Sequence, residues 1–327
     1  MSEKEKKRKV LPVWIGILAC LAAFAGGAFT KLALKPAWAK KYSAQWSDEI
    51  GTKKTDLIYG EKEANKFDLY LPKDSSKKAY GLAVYLHAGG FTQGDKSDDE
   101  STLAWLCSKG YVAAGINYTL ATEKNHASVL TESNEIKAAM PKVVEAAKAA
   151  GYPIDRMAVA GGSAGHALAM IYAYRDGKEA PVPLVFTYGA VGPSSFIAED
   201  WKIFGAGYDS DDSRKAGAAL FSAMSGQTIT PEEMKDGSYR EKVHDIAAAE
   251  WVASNPIPTV VAYGACDKIQ PFAASKRLKA ALEENHADYK YFVLPHSGHG
   301  LQNDNAIQKK YMEAVDNYFE KYMPVSK

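Results

Sequence analysis

A serine set among glycines is the sharpest chemical signal in this chain. Gly161-Gly162-Ser163-Ala164-Gly165 stands between an apolar run of strand length, Met157 to Ala160, and an Ala-rich helical pattern. Held at a strand-to-helix turn, a serine hydroxyl is lifted above the sheet edge, and flanking glycines let the backbone turn without Cβ clashes. The amide of Ala164, opening the following helix, has no acceptor within that helix and is available to a developing oxyanion. The bland alternative is a glycine-rich structural turn. A second glycine pair, in His87-Ala88-Gly89-Gly90-Phe91, follows the run Leu82 to Leu86. Without side chains, Gly89 and Gly90 let their amides approach a substrate oxygen closely, which makes them the other two candidate oxyanion donors. His87 is expected to fix this loop by hydrogen bonding rather than to act as a base. A serine is a weak nucleophile unless a base takes its proton and a third group sets that base's tautomer. His299, in Pro295-His296-Ser297-Gly298-His299-Gly300, lies on a glycine-flanked loop beyond the last apolar run and is preferred to His296. Asp267, in Tyr263-Gly264-Ala265-Cys266-Asp267, follows another apolar run and is preferred to Asp245 and Asp304, with a simple turn-forming role as its alternative. Together these groups suit acyl transfer through a serine nucleophile, a reaction that needs no metal and no organic cofactor.

Each candidate follows a strand-like run, so the elements that position them can be read in turn. Thr55 to Tyr59 and Lys66 to Leu71 predict an antiparallel hairpin. Leu82 to Leu86, Val112 to Tyr118, Met157 to Ala160, Leu184 to Tyr188, Thr259 to Tyr263 and Tyr289 to Leu294 are short apolar runs, the pattern of strands buried on both faces in a parallel sheet. Helical patterns at Ser101 to Ser108, Ser133 to Ala150, Ala164 to Tyr174, Ser275 to Asn285 and Ala306 to Tyr322 supply the crossovers. The alternation predicts an α/β fold: a mostly parallel, doubly wound sheet with antiparallel N-terminal strands. Between Gly192 and Pro256 the rhythm breaks. A stretch of that length is too long for a structureless loop, and it is read as a helical cap insertion at about 193–256, with one helix at Ser213 to Met224.

Taken together, KFDLYLP at Lys66 to Pro72, the HAGGF loop, Asn117-Tyr118, GGSAG, GACDKIQP and HSGHG resemble the α/β-hydrolases, and among them the esterase/lipase group related to hormone-sensitive lipase. The resemblance covers roughly 55–323, and the chain order Ser163, Asp267, His299 is that of the fold. It implies Ser163, Asp267 and His299 as catalytic residues, with Gly89, Gly90 and Ala164 as the oxyanion hole. Ala88 replaces the first glycine of the usual H-G-G-G run, and Gly162 stands where many relatives carry an acidic residue. The implied activity is hydrolysis of a small-molecule carboxylic ester. A serine peptidase of prolyl-oligopeptidase type and a non-catalytic binding module on the same fold are the alternatives.

The 327 residues carry 40 Lys and Arg against 39 Asp and Glu, a net +1 that supplies no field for nucleic acid. The first nine residues hold five basic and two acidic side chains. From Val10 to Thr30 there is no charge, enough length for a helix to span a bilayer. This segment at 10–30 is read as a signal-anchor, with secretion after cleavage near Ala25 as the alternative; either places the catalytic domain outside the cytoplasm. Residues 31–54 are read as a stalk and 55–327 as the hydrolase domain. Cys20, Cys107 and Cys266 form no metal or disulfide framework, and the last two are expected to behave as small buried hydrophobes.

Overall fold

A computed structural model describes residues 36–325; the segment at 10–30 lies outside them. A short 3₁₀ turn, Ala37–Tyr42, precedes the domain, which forms one unit from Tyr42 onward. Among the described residues, eight strands build a single sheet: β1 Gly51–Ile58, β2 Lys66–Pro72, β3 Tyr80–Leu86, β4 Val112–Ile116, β5 Ile154–Gly162, β6 Leu184–Ala190, β7 Thr259–Gly264 and β8 Tyr289–Leu294. Their spatial order is β1-β2-β4-β3-β5-β6-β7-β8. The β1–β2 and β2–β4 pairs are antiparallel and the remaining five are parallel. Burial follows position in this order. Every residue of β4 and β7 is buried, whereas the edge strands β1 and β8 are mostly half-buried or exposed. Interior strands of a parallel sheet lose both faces to helices, so they read as continuous apolar runs.

Eight α-helices accompany the sheet among the described residues: α1 Glu100–Ser108, α2 Val129–Ala149, α3 Ala164–Ile171, α4 Asp211–Ser225, α5 Pro231–Asp236, α6 Tyr239–Val243, α7 Phe272–Glu284 and α8 Asn305–Tyr322. On one face, Trp105 of α1 and Phe319 of α8 pack edge-on, and Phe319 also meets Tyr111, Phe186 and Tyr188. On the other, α2 and α3 lie over Leu82, Val84, Leu86, Met157 and Val159. None of these helices is long and apolar enough to cross a membrane.

The largest departures from the sequence reading are at element ends. β1 starts at Gly51, so the last residues of the expected stalk at 31–54 belong to the sheet. α2 starts four residues before the expected Ser133, because the Ser128 side chain accepts a hydrogen bond from the Thr131 amide and caps the helix there. The expected helix Ala164 to Tyr174 is α only to Ile171 and finishes as a π turn, Tyr172–Asp176. Residues 193–256 contain α4, α5, α6 and several 3₁₀ turns, and no strand. α4 begins after a Ser210 capping box and α5 after one formed by Thr230 and Glu233, with Pro231 in its first turn. Trp201 and Phe221 are buried in this insertion against Phe196. Phe204 and Tyr208 are exposed instead. Cys107 is buried as expected, but Cys266 is exposed on the β7 exit loop, where its thiol donates to the Pro295 carbonyl.

Glu132, in the first turn of α2, is fully buried, with no hydrogen-bond partner of normal geometry for either carboxylate oxygen among the described residues. Burial, with Glu135 nearby, pushes its pKa up from 4.5 to about 9. The folded protein therefore holds a proton that the unfolded chain releases above about pH 4.5, so this stability is complete below that pH and is lost as pH climbs toward 9. Melting curves at pH 5 and pH 8 should show the wild type losing more than Glu132→Gln, which has no proton to release; equal losses would show that Glu132 does not titrate in this range.

Candidate active site

Strand order brings the glycine loops together. β3 and β5 are neighbours, and Leu86 pairs with Gly161, so the exits of both strands open side by side at the carboxyl edge. β4 lies to one side of β3 and β5 to the other. The chain reverses direction across the sheet here, the crevice in which open α/β sheets bind ligands.

At the exit of β5, Ser163 has φ 51° and ψ −119°, a backbone conformation that side-chain-bearing residues rarely take. The Ser163 amide donates to the Ala190 carbonyl, which ties the turn to β6. Gly165 explains why the turn can be this tight. A Cβ added there would lie 2.0 Å from the Leu86 carbonyl oxygen, because α3 packs backbone to backbone on the end of β3. Gly165→Ala is expected to cost about 3 kcal/mol or more of stability, since the obstacle is main chain that cannot rotate away. Urea unfolding would check it, and a loss below about 1 kcal/mol would mean that α3 can shift freely. Gly162, by contrast, would meet only the Tyr85 hydroxyl, at 3.6 Å, so the absence of an acidic residue there is not imposed by space.

The β3 exit loop depends on Gly89, whose φ of 132° is closed to other residues and whose carbonyl accepts from the amides of Thr92 and Gln93. Gly90 has φ 60° and open space where a Cβ would stand. Ala164 is the first residue of α3, so its amide has no acceptor inside the helix. His87 lies beneath this loop. Its ring is buried, its pKa is lowered by desolvation, and Nδ1–H donates to the Ala88 carbonyl at 2.7 Å. Tyr118 stacks on that ring and donates to the His87 carbonyl at 2.8 Å. Both contacts are loop-fixing. Tyr118 had been legible only as half of an Asn-Tyr pair.

Across the crevice, two loops from β7 and β8 complete the group. The Cys266 amide donates to the Ser297 carbonyl, joining the loops to each other. His299 Nε2 lies 2.7 Å from Ser163 Oγ, and His299 Nδ1 lies 2.8 Å from Asp267 Oδ2. The second Asp267 oxygen accepts from the amides of Ile269 and Gln270, at 2.8 and 3.0 Å. The Asp267 side chain is 2% exposed and that of His299 21%, so the carboxylate is shielded while the imidazole edge meets the crevice. With the carboxylate on Nδ1, the proton resides there and Nε2 is left to accept the serine proton.

The competing residues are elsewhere. His296 is 80% exposed and bonds Asp304. Asp304 also accepts from the His296 amide and the Ser297 hydroxyl, which braces the loop carrying His299. Asp245 is exposed in the cap insertion. Asp304's bracing role was not foreseen, although its place just beyond the histidine loop was a signal of it.

Comparison with known proteins agrees with this architecture. Residues 67–189 match the BD-FAE family and residues 215–325 the prolyl oligopeptidase family. Kynurenine formamidase of Danio rerio is 40% identical over 67 residues, 20% of this chain and 22% of that protein, so the match spans about a fifth of this curated relative's length. Among solved structures, a truncated carbohydrate esterase from gut microbiota superposes with a TM-score of 0.65 at 17% identity, covering 84% of this chain and 98% of that one. Esterase 2 of Thermogutta terrifontis gives 0.64 at 16% identity, covering 85% and 96%. Esterase B of Lactobacillus rhamnosis gives 0.62 at 17%, covering 92% and 95%. At such identities these likenesses speak for the fold, and the two family matches divide most of it between them. From the sheet order, the elbow and the paired loops to these likenesses, the chain has the α/β-hydrolase fold.

Proposed function

We propose that this protein hydrolyses carboxylic esters through an acyl-enzyme, with Ser163 as nucleophile, His299 as base and then acid, and Asp267 as the group that orients the imidazole. The observation that carries this reading is the unbroken hydrogen-bonded line from Ser163 Oγ through His299 to the buried Asp267 carboxylate. Ser163 attacks the ester carbonyl while His299 Nε2 takes its proton. The amides of Gly89, Gly90 and Ala164 receive the negative charge that forms on the carbonyl oxygen. His299 returns the proton to the departing alcohol, then draws one from water as water attacks the acyl-serine. Labelling of Ser163 by a fluorophosphonate, with turnover of aryl acetates, tests the proposal. No labelling and no turnover would refute it.

The match of residues 215–325 to the prolyl oligopeptidase family favours a second reading, amide cleavage, since that stretch carries both Asp267 and His299. Aryl esters assayed beside aminoacyl-proline amides distinguish the two. We also propose that the uncharged run Val10 to Thr30 exports the domain, as an anchor or as a signal cleaved near Ala25. Alkaline extraction of membranes and N-terminal sequencing test that location.

A further inference from the structure

The exits of β5 and β6 each hold a strained residue, and a buried histidine joins them from behind. Ser163 and Val191 have φ of 51° and 52°, although neither is glycine and Val191 is β-branched. The Ala190 carbonyl, next to Val191, accepts the Ser163 amide at 2.9 Å, so the β6 exit sets where the nucleophile's backbone stands. Three further bonds hold that exit. The Val191 amide donates to the Ala262 carbonyl, the Tyr263 hydroxyl donates to the Gly192 carbonyl at 3.1 Å, and the Gly192 amide donates to His166 Nδ1 at 3.0 Å. Gly192 is buried, so without that acceptor its amide would be an unmatched donor in the core. His166 stands in the first turn of α3 and is itself fully buried. Glycines make room for it: a Cβ on Gly189 would lie 2.3 Å from the ring's Cδ2, and one on Gly192 would lie 2.8 Å from the His166 Cβ. Burial pushes the His166 pKa down to about 3, with the Ala190 carbonyl opposing the shift, so the ring is neutral at physiological pH. Because Nδ1 accepts, the ring proton is on Nε2. A leucine would fill the same place with no polar atom, whereas histidine supplies an acceptor.

We propose that His166 is a positioning residue of this site: its Nδ1 fixes the β6 exit, and through the Ala190 carbonyl that exit fixes the backbone of Ser163. The role rests on the ester-hydrolase reading. Ser163 Oγ has to stay within hydrogen-bond reach of His299 Nε2, at 2.7 Å, while its backbone is held in a conformation it would leave if released. Misplacing a reacting atom by about 1 Å can cost on the order of 100-fold in rate. Being fully buried, His166 meets no substrate, so losing its acceptor is felt in kcat rather than in KM.

The test compares wild type, His166→Leu and His166→Asn in turnover of p-nitrophenyl acetate and in the rate of fluorophosphonate labelling, with Tm measured for each. Asparagine carries its first polar atom one bond beyond Cγ, as histidine does, and can accept the Gly192 amide; leucine cannot. His166→Leu should lower kcat and the labelling rate by about 10- to 100-fold with KM nearly unchanged, and His166→Asn should restore kcat to within about fivefold of wild type. Asparagine also leaves more empty volume than leucine, so a role in packing alone predicts the opposite order of activity. Leucine retaining kcat within about twofold of wild type, or asparagine falling as far as leucine, would overturn the proposal. Tyr263→Phe approaches the same exit from its other side and leaves the core filled. It should lower kcat by about fivefold at unchanged KM, and an unchanged kcat there would overturn the proposal even where His166→Leu does not fold. Failure of the hydrolase reading is seen separately, as a wild type that neither labels nor turns over.

Discussion

Replacing Ser163 by alanine is expected to lower kcat/KM for an aryl acetate by on the order of 10⁴- to 10⁶-fold and to abolish fluorophosphonate labelling. The effect is large because the hydroxyl is the only atom removed and the only one that can form the acyl bond. Whatever rate persists reports the oxyanion donors and binding alone. A loss smaller than tenfold would mean that another group carries the reaction. Stability should respond differently. The backbone at Ser163, with φ 51° and ψ −119°, is as strained for alanine as for serine. Ser163→Ala should therefore melt close to wild type, whereas Ser163→Gly should gain about 1 kcal/mol, or roughly 2 to 4 °C in a domain of this size. An inactive Ser163→Gly protein that melts higher than wild type would show the strain and the chemistry to be held at one residue.

Asp267→Asn is the second large effect, expected at about 10⁴-fold in kcat with little change in Tm. Its direction follows from which atoms the carboxylate uses. One oxygen accepts the amides of Ile269 and Gln270, so an asparagine keeps its carbonyl there and turns its NH₂ toward His299. That NH₂ is a donor. It obliges Nδ1 to accept, which moves the imidazole proton to Nε2 and leaves nothing facing Ser163 Oγ that can take a proton. Pre-steady-state acylation with p-nitrophenyl acetate measures the step directly. Activity retained within tenfold of wild type would remove Asp267 from the orienting role. Asp304→Asn serves as the contrast, because Asp304 bonds His296 and Ser297 rather than His299.

Much of this site was legible because its residues are tied to strand exits. An apolar run followed by glycine and one polar side chain identifies the end of a buried strand, and Ser163, Asp267, His299 and the glycines of the β3 loop all carry that pattern. Parallel strands deliver such residues to one edge whatever their distance along the chain. Element ends were less legible, since they depend on single hydrogen bonds, as with Ser128 and the early start of α2. Residues whose role is to hold another residue were nearly invisible. Tyr118 stacking on His87, and Asp304 bracing the histidine loop, have the composition of ordinary surface or core positions until the fold brings them next to their partners. The burial of the Asp267 loop was hidden for a different reason: Ile269 is exposed and Gln270 buried, and hydropathy alone would bury the wrong one of the two.

The position of β8 at the edge of the sheet has a consequence for how the protein is made and how it fails. Ser163 and His299 are 136 residues apart, and the histidine loop follows the final strand. During synthesis Ser163 and the glycine loops emerge long before His299, so on the proposed mechanism the nascent chain has no competent active site until its last segment docks. The same geometry works in reverse under stress. An edge strand has a neighbour on one side only, so β8 and its loop can detach locally while the central strands stay folded. Hydrolytic activity would then vanish at a milder denaturant concentration than the helical signal, which makes turnover a gauge of that one edge rather than of the whole fold.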